Sequence, residues 1–300
     1  MKKITSVFIV TLFFGVLIHT SCKKSTGGDP SNLGTDFTQF SSDENLLHTA
    51  SEALLDDITT VMENSSLGKV YPISGATVND SDFINLKRII INYNGDNASG
   101  SRTRKGTVII ELIEGEKWSD SASVIQITST RVTITHKITG NSLEYSGVYY
   151  VRNVSGGKIF VSNEVVHKFW GTGTMIFDNS GDERIWNINR KRTFNIGAGF
   201  NTITTLGDTS LNGVDGVIEW GFTRKAVSFQ TQVIEPIIFR TNCATGPYSG
   251  IKNHKGMLKE VKVTFGVDEQ GEPVSFGCPY GYKVNWSNNA DSLRTAIVAY

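Results

Sequence analysis

Between Ser41 and about Met62 the apolar residues Leu47, Ala50, Leu54, Ile58 and Val61 recur at spacings of three and four. That period gathers them into one stripe of a helix, and Ser41 with Glu44 has the reciprocal pattern of a capped start. One amphipathic helix is predicted over 41–66, closed by Asn64-Ser65-Ser66-Leu67-Gly68. The adjacent acids Asp56 and Asp57 point about 100° apart on such a helix and read as part of its solvated face. From Lys87 onward the period changes to two. Val132, Ile134, His136 and Ile138 alternate with Arg131, Thr133, Thr135 and Lys137. Ile218, Trp220 and Phe222 alternate with Val217, Glu219 and Thr223, and Val261, Val263 and Phe265 with Glu260, Lys262 and Thr264. Each run reads as a strand with one buried face, which makes His136 a core residue.

Turn clusters separate these runs, among them Asn94-Gly95-Asp96-Asn97, Thr139-Gly140-Asn141, Asn179-Ser180-Gly181-Asp182 and Asn212-Gly213. Their spacing implies a dozen or so strands joined mostly by hairpins. With no second helical pattern between them, parallel βαβ units and nucleotide-binding α/β folds are excluded. The expected fold is all-β: a large antiparallel, mostly sequential sheet over 67–300, preceded by the one helix. A sandwich, a curved meander and a partial barrel all remain open, because period alone does not decide closure.

The first 21 residues follow neither period. Met1-Lys2-Lys3 precedes an apolar run from Ile4 to Ile18, then His19-Thr20-Ser21 and Cys22. The run is shorter than the roughly 20 residues of a spanning helix and reads as a signal peptide over 1–21. Ser21 before Cys22 resembles the lipobox of bacterial lipoproteins, loosely, because His19 stands where an aliphatic residue is usual. That resemblance implies lipid attachment at Cys22, with membrane lipid as the partner and the outer membrane as the address, on its periplasmic face or at the cell surface. Residues 22–40 open with a small, polar, Gly- and Pro-broken stretch and are expected to be a flexible tether.

Charge adds an exclusion. Lys+Arg and Asp+Glu are both 29, and removing Lys2 and Lys3 leaves a slightly acidic chain with scattered basic residues, so no nucleic-acid partner is implied. Of the three cysteines, Cys22 belongs to the anchor. Cys243 and Cys278 are then expected to pair in an oxidising compartment, the alternative being two free buried thiols.

Arg88 to Gly95, followed by Arg102-Thr103-Arg104-Lys105-Gly106 and a long apolar strand, is similar to the opening strand pair of a group of uncharacterised Bacteroidota β-rich lipoproteins. Asn189-Arg190-Lys191-Arg192-Thr193-Phe194 resembles the R-x-R-x-aromatic segment of that group, and Cys243 with Cys278 its late cysteine pair. The resemblance covers residues 85–300. It implies a β-rich fold and a lipoprotein signal, and no assigned activity.

Candidate chemistry is sparse. His48, His136, His167 and His254 lack ligand spacing, and no catalytic, metal or cofactor motif is present. Glu111, Glu114, Glu164, Asp182, Glu183 and Glu219 lie on or beside strands and read as solvent-face charges, although two of them close in space would suit a glycosidase. The strand Arg184–Ile196 stands apart, because Trp186, Ile188, Arg190, Arg192, Phe194 and Ile196 share its even face. Two arginines among apolar side chains must find carboxylates, reach an edge or line a ligand groove. With Trp186 and Trp220 as stacking platforms, Arg190 and Arg192 outline a possible ligand surface. The favoured function is a binding or structural cell-envelope protein, with a glycan, lipid or envelope protein as partner. A carrier of a lipid or hydrophobic ligand is the first alternative, and a carbohydrate-active hydrolase on a β scaffold the second.

Overall fold

The computed structural model describes residues 35–65, 72–178, 180, 182–243, 246–256, 260–287 and 293–300. The signal segment, Cys22 and the tether up to residue 34 lie outside them. The helix, α1 (Thr35–Ser65), buries Phe40, Leu47, Ala50, Leu54, Ile58, Val61 and Met62 along one stripe. It starts six residues before the expected Ser41, so residues 35–40 belong to it and not to the tether. The reason lies one turn further in, where Asp43 and Glu44 occupy buried positions of the stripe and interrupt its apolar period. Ser41 and Glu44 form no capping box, since Ser41 hydrogen-bonds Tyr282 and Glu44 accepts from Lys252.

The strands follow. β1 (Ala76–Asn79) precedes one helical turn, α2 (Phe83–Leu86). Six long strands then make a meander: β2 (Arg88–Asp96), β3 (Arg102–Glu114), β4 (Ser123–His136), β5 (Ser142–Asn153), β6 (Glu164–Phe177) and β7 (Arg184–Asn195). A short excursion, β8 (Thr202–Gly207) and β9 (Thr209–Leu211), leads to β10 (Val214–Phe222) and β11 (Ser228–Arg240). The chain closes with β12 (Ser249–Lys255), β13 (Val261–Val267), β14 (Gly281–Ser287) and β15 (Leu293–Ala299).

All pairings are antiparallel within one sheet, in sequential order from β1 to β7 and then from β10 to β15. Between β7 and β11 the slot is shared. β10 pairs with Trp186–Ile188 of β7, while β8 pairs with Arg190–Asn195 and with the far half of β11. Among the described residues β1 pairs only with β2 and β15 only with β14, so the sheet is open.

The thirteen strands that lie side by side would span about 58 Å if flat. A helix is only about 10 Å across, yet α1 contacts Tyr93 and Arg104 from β2 and β3, Lys252 from β12 and Tyr282 from β14. The sheet therefore curls around the helix as a single curved meander. Bulges supply the bend. The register of β3 against β4 slips between Lys105 and Thr107, where Gly106 has φ 114° and a Cβ would stand 2.5 Å from the Arg131 carbonyl oxygen. A second slip, between Phe265 and Val267, centres on Gly266 in the same way.

Two expectations on β4 fail at its end. The strand stops at His136, which is half-buried and accepts a hydrogen bond at Nδ1 from the Thr139 amide, so it is not a core residue. Ile138, beyond the strand, is 85% exposed because the turn has already left the sheet.

Cys243 and Cys278 are joined in a disulfide that ties the segment after β11 to the segment before β14. The closed loop spans a separation of 35 residues. Removing the bond, by Cys243→Ser with Cys278→Ser, is expected to cost about 3 kcal/mol of unfolding free energy in urea. Reducing agent should produce the same loss in the parent protein and none in the double variant.

Candidate functional site

Buried carboxylates on a helix need cations, and the inner face of the sheet provides them. Asp43 accepts from the Arg224 guanidinium at 2.8 and 2.6 Å, and Arg224 also reaches Asp178 at 2.7 Å. Glu44 takes Lys252 Nζ at 2.7 Å and lies 3.8 Å from His254 Nε2. Glu52 bridges Arg190 at 2.6 Å and Arg192 at 2.7 Å. Asp57 pairs with Arg104 and accepts from the Tyr93 hydroxyl at 2.8 Å. Asp57 is thus part of the helix–sheet interface, and only Asp56 keeps the exposed position expected of both.

Burial and pairing pull these groups in opposite directions. Burial disfavours the charge of Glu52, but Arg192 and Arg190 outweigh it and hold the carboxyl at about 2. Burial likewise opposes the charge of Glu44, and Lys252 and His254 still bring it below the ordinary range. Asp57 is pushed up by burial against the pull of Arg104. Burial depresses His48 and His254 to about 4 and His167 to about 3, so all three are neutral at pH 7.

Glu219 departs from the reading of a solvent-face charge. β10 slips register against β11 between Val217 and Glu219, and this bulge turns Glu219 inward while Trp220 and Phe222 turn outward. Glu219 accepts from Trp186 Nε1 at 3.1 Å, and burial, with Glu44 nearby, raises its carboxyl to about 7. The remaining strand acids stay outside: Glu111 faces Arg88, Glu114 pairs with Arg152 at 3.0 Å, Asp182 lies 3.6 Å from Arg184, and Glu164 and Glu183 are exposed.

Two acids driven apart, Glu44 down and Glu219 up, have the electrostatics of an acid–base pair. The space beside them does not suit a substrate. A void of about 30 Å³, lined by Leu47, Leu54, Tyr145, Phe169, Trp186 and Glu219 among others, has room for water only. What this arrangement does is hold α1 in the groove.

The four residues of the expected ligand surface do not share a face. Trp186 and Arg190 are 2% and 1% exposed beneath α1, Arg192 lies beside them, and Trp220 is on the opposite side of the sheet. The helix acids that neutralise the arginines gave no local signal, being more than a hundred positions away.

The outer face has its own order. Gln126, Tyr150, Trp170 and Asn189 align in one row across β4 to β7. Thr128, Val148, Thr172, Asn187 and Trp220 form the next row, which extends onto β10. The Tyr150 and Trp170 rings lie 5.4 Å apart and 16° from parallel. The Thr172 hydroxyl donates to Asn187 Oδ1 at 2.7 Å, Asn187 Nδ2 donates to the Trp220 carbonyl at 3.2 Å, and Asn189 Nδ2 donates to the Thr209 hydroxyl at 3.1 Å.

Fold and site together define an all-β protein in which one antiparallel sheet is wrapped on one preceding helix. No family model matches the chain, and neither a curated protein nor a solved structure matches it.

Two substitutions test the network. Glu52→Gln leaves two buried guanidinium groups without their carboxylate and is expected to cost about 3 kcal/mol in urea unfolding at pH 7. Because the folded carboxyl titrates near 2 and the unfolded one near 4.5, that deficit is complete above pH 4.5 and closes as the pH falls toward 2. Glu219 has the opposite sign. Its raised value means the folded state holds the proton more tightly, so its contribution is present below pH 4.5 and is lost as the pH rises through 7. Glu219→Gln should therefore match the parent near pH 4.5 and exceed it by about 1–3 kcal/mol at pH 8.

Proposed function

We propose that this chain is a lipid-anchored binding or structural protein of the cell envelope, held in the outer membrane through Cys22, which acts with the outer face of its sheet. One observation carries the reading: the inner face is occupied. The stripe of α1 fills the groove, and Asp43, Glu44, Glu52 and Asp57 pair with cations from β3, β7, β12 and the segment after β10. Removing one partner from a buried pair costs about 3–5 kcal/mol, so a helix held by four such sets is a permanent part of the fold. The rows of Tyr150, Trp170 and Trp220 on the outer face remain available for recognition.

The apolar lining of the groove that α1 fills favours a second reading, a carrier of a hydrophobic ligand. That reading requires α1 to leave its partners. Acyl chains add about 0.8 kcal/mol per buried methylene, so diacylation of Cys22 is enough for stable anchoring.

Metabolic labelling with a palmitate analogue is expected to mark the parent protein and not Cys22→Ser. The unanchored Cys22→Ser protein should still sediment with isolated envelopes. Adding Thr172→Arg, an exposed outer-face position, should weaken that retention by about tenfold, an energetic change of about 1.4 kcal/mol. Unchanged retention would refute the outer-face reading, and saturable fatty-acid binding by the parent protein would favour the carrier.

A further inference from the structure

We infer that the outer face binds an uncharged glycan chain, with Tyr150–Trp170 as one stacking platform and Trp220 as a second. The inference rests on the outer-face reading above and names its ligand class. The two rows that hold these rings carry no charged side chain between Gln126 and Asn189 or between Thr128 and Trp220. In the adjoining row Arg152 is paired with Glu114 and Lys168 with Asp208, which leaves Lys191 as its one cation with no carboxylate among the described residues. A polyanion finds little to bind there.

Sugar rings present two kinds of surface, apolar C–H faces and a rim of hydroxyls. The outer face presents the complements of both. Trp170 and Trp220 are separated by two strand steps and by one two-residue step along the strand, or about 12 Å. A chain a few pyranose units long covers that distance. Between the two platforms stand the amides of Asn187 and Asn189 and the Thr172 hydroxyl.

Their orientation is set in advance. Asn187 is fixed by Thr172 and by the Trp220 carbonyl, and Asn189 by Thr209, so little rotamer freedom remains to be lost on binding. Among the described residues none hydrogen-bonds the Gln126 amide, the Tyr150 hydroxyl or the indole N–H of Trp170 or Trp220. A dry protein interface would bury these donors unpaired at a cost, whereas hydroxyl-rich chains and their bridging waters satisfy them. Of the exposed apolar side chains, Val148 stands within the second row, and Ile185 and Phe222 lie at the margin of this face.

The test uses Cys22→Ser protein on isolated envelopes treated in two ways. Periodate cleaves the vicinal diols of sugars and leaves the peptide backbone intact; proteinase K does the reverse. Retention is expected to be lost after periodate and kept after proteinase K. Loss with proteinase K and survival after periodate overturns the glycan assignment while leaving the outer-face reading intact. If untreated envelopes retain nothing, the outer-face reading itself has failed.

Affinity electrophoresis of the same protein in gels containing neutral α-glucan, β-glucan, mannan, xylan or galactomannan gives an independent measure. Retardation by at least one is expected, weakened about tenfold by Trp170→Ala or Trp220→Ala and little by Tyr150→Phe, which keeps the ring. Melting temperatures equal to the parent's show that the variants are folded. No retardation by any of the five, or retardation indifferent to both tryptophan substitutions, overturns the inference.

Discussion

The contact on which the rest of the structure depends is the seating of acidic side chains from one helix against cations of a curled sheet, inside an otherwise apolar groove. Glu52 shows the logic most clearly. Arg190 is essentially buried on β7, and a lone guanidinium at that depth would be strongly unfavourable. One carboxylate shared with Arg192 relieves it, and depresses its own proton affinity as it does so. Glu44 and Asp57 repeat the arrangement at other strands, and Asp43 at the turn between β10 and β11. These pairs add position more than net stability, since charged groups taken out of water recover their desolvation only when matched. They fix the rotation and the axial register of α1, which a stripe of leucines and isoleucines alone would leave freer to slide.

The sheet accommodates this helix by bending where it loses residue-for-residue register. Slips at Gly106 and Gly266 let the backbone approach a neighbouring strand more closely than any Cβ would allow. The slip at Glu219 has a chemical consequence as well. It exchanges the two faces of β10, bringing an acid inward to Trp186 and sending Trp220 outward to join Asn187. Inner network and outer platform therefore share one irregularity.

Much of the architecture was legible from period alone. Leu47 to Val61 marked the helix, and alternation such as Val261, Val263 and Phe265 marked strands whose inward residues are indeed buried or partly buried. The cysteine pair was read from compartment and count, and is present. What failed did so for identifiable reasons. The start of α1 was missed because Asp43 and Glu44 break the apolar period with groups neutralised by Arg224 and Lys252, far along the chain. On β10, periodicity assigned Trp220 and Glu219 to the wrong faces because a bulge adds a residue without any local mark beyond the turn-rich segment before it. The arginines of β7 were visibly anomalous, but their partner Glu52 was not, since pairing across strands and helix depends on curvature. Curvature is a property of the whole sheet.

The reach of these pairings bears on how the chain arrives at its fold. Arg224 follows Asp43 by 181 residues and Lys252 follows Glu44 by 208. In a chain delivered from its N-terminal end, α1 emerges first and its carboxylates wait for partners through the formation of most of the meander. Most of a helix's stability in a protein comes from packing of its amphipathic face, and until the sheet closes over it the 31-residue α1 lacks that support. Contacts of such separation make for slow, late-committing folding. The late strands β10 to β14, with the turn that carries Arg224, are thus the ones that convert a half-built sheet and an unmoored helix into a single cooperative unit, and a chain interrupted before Lys252 would leave α1 unseated.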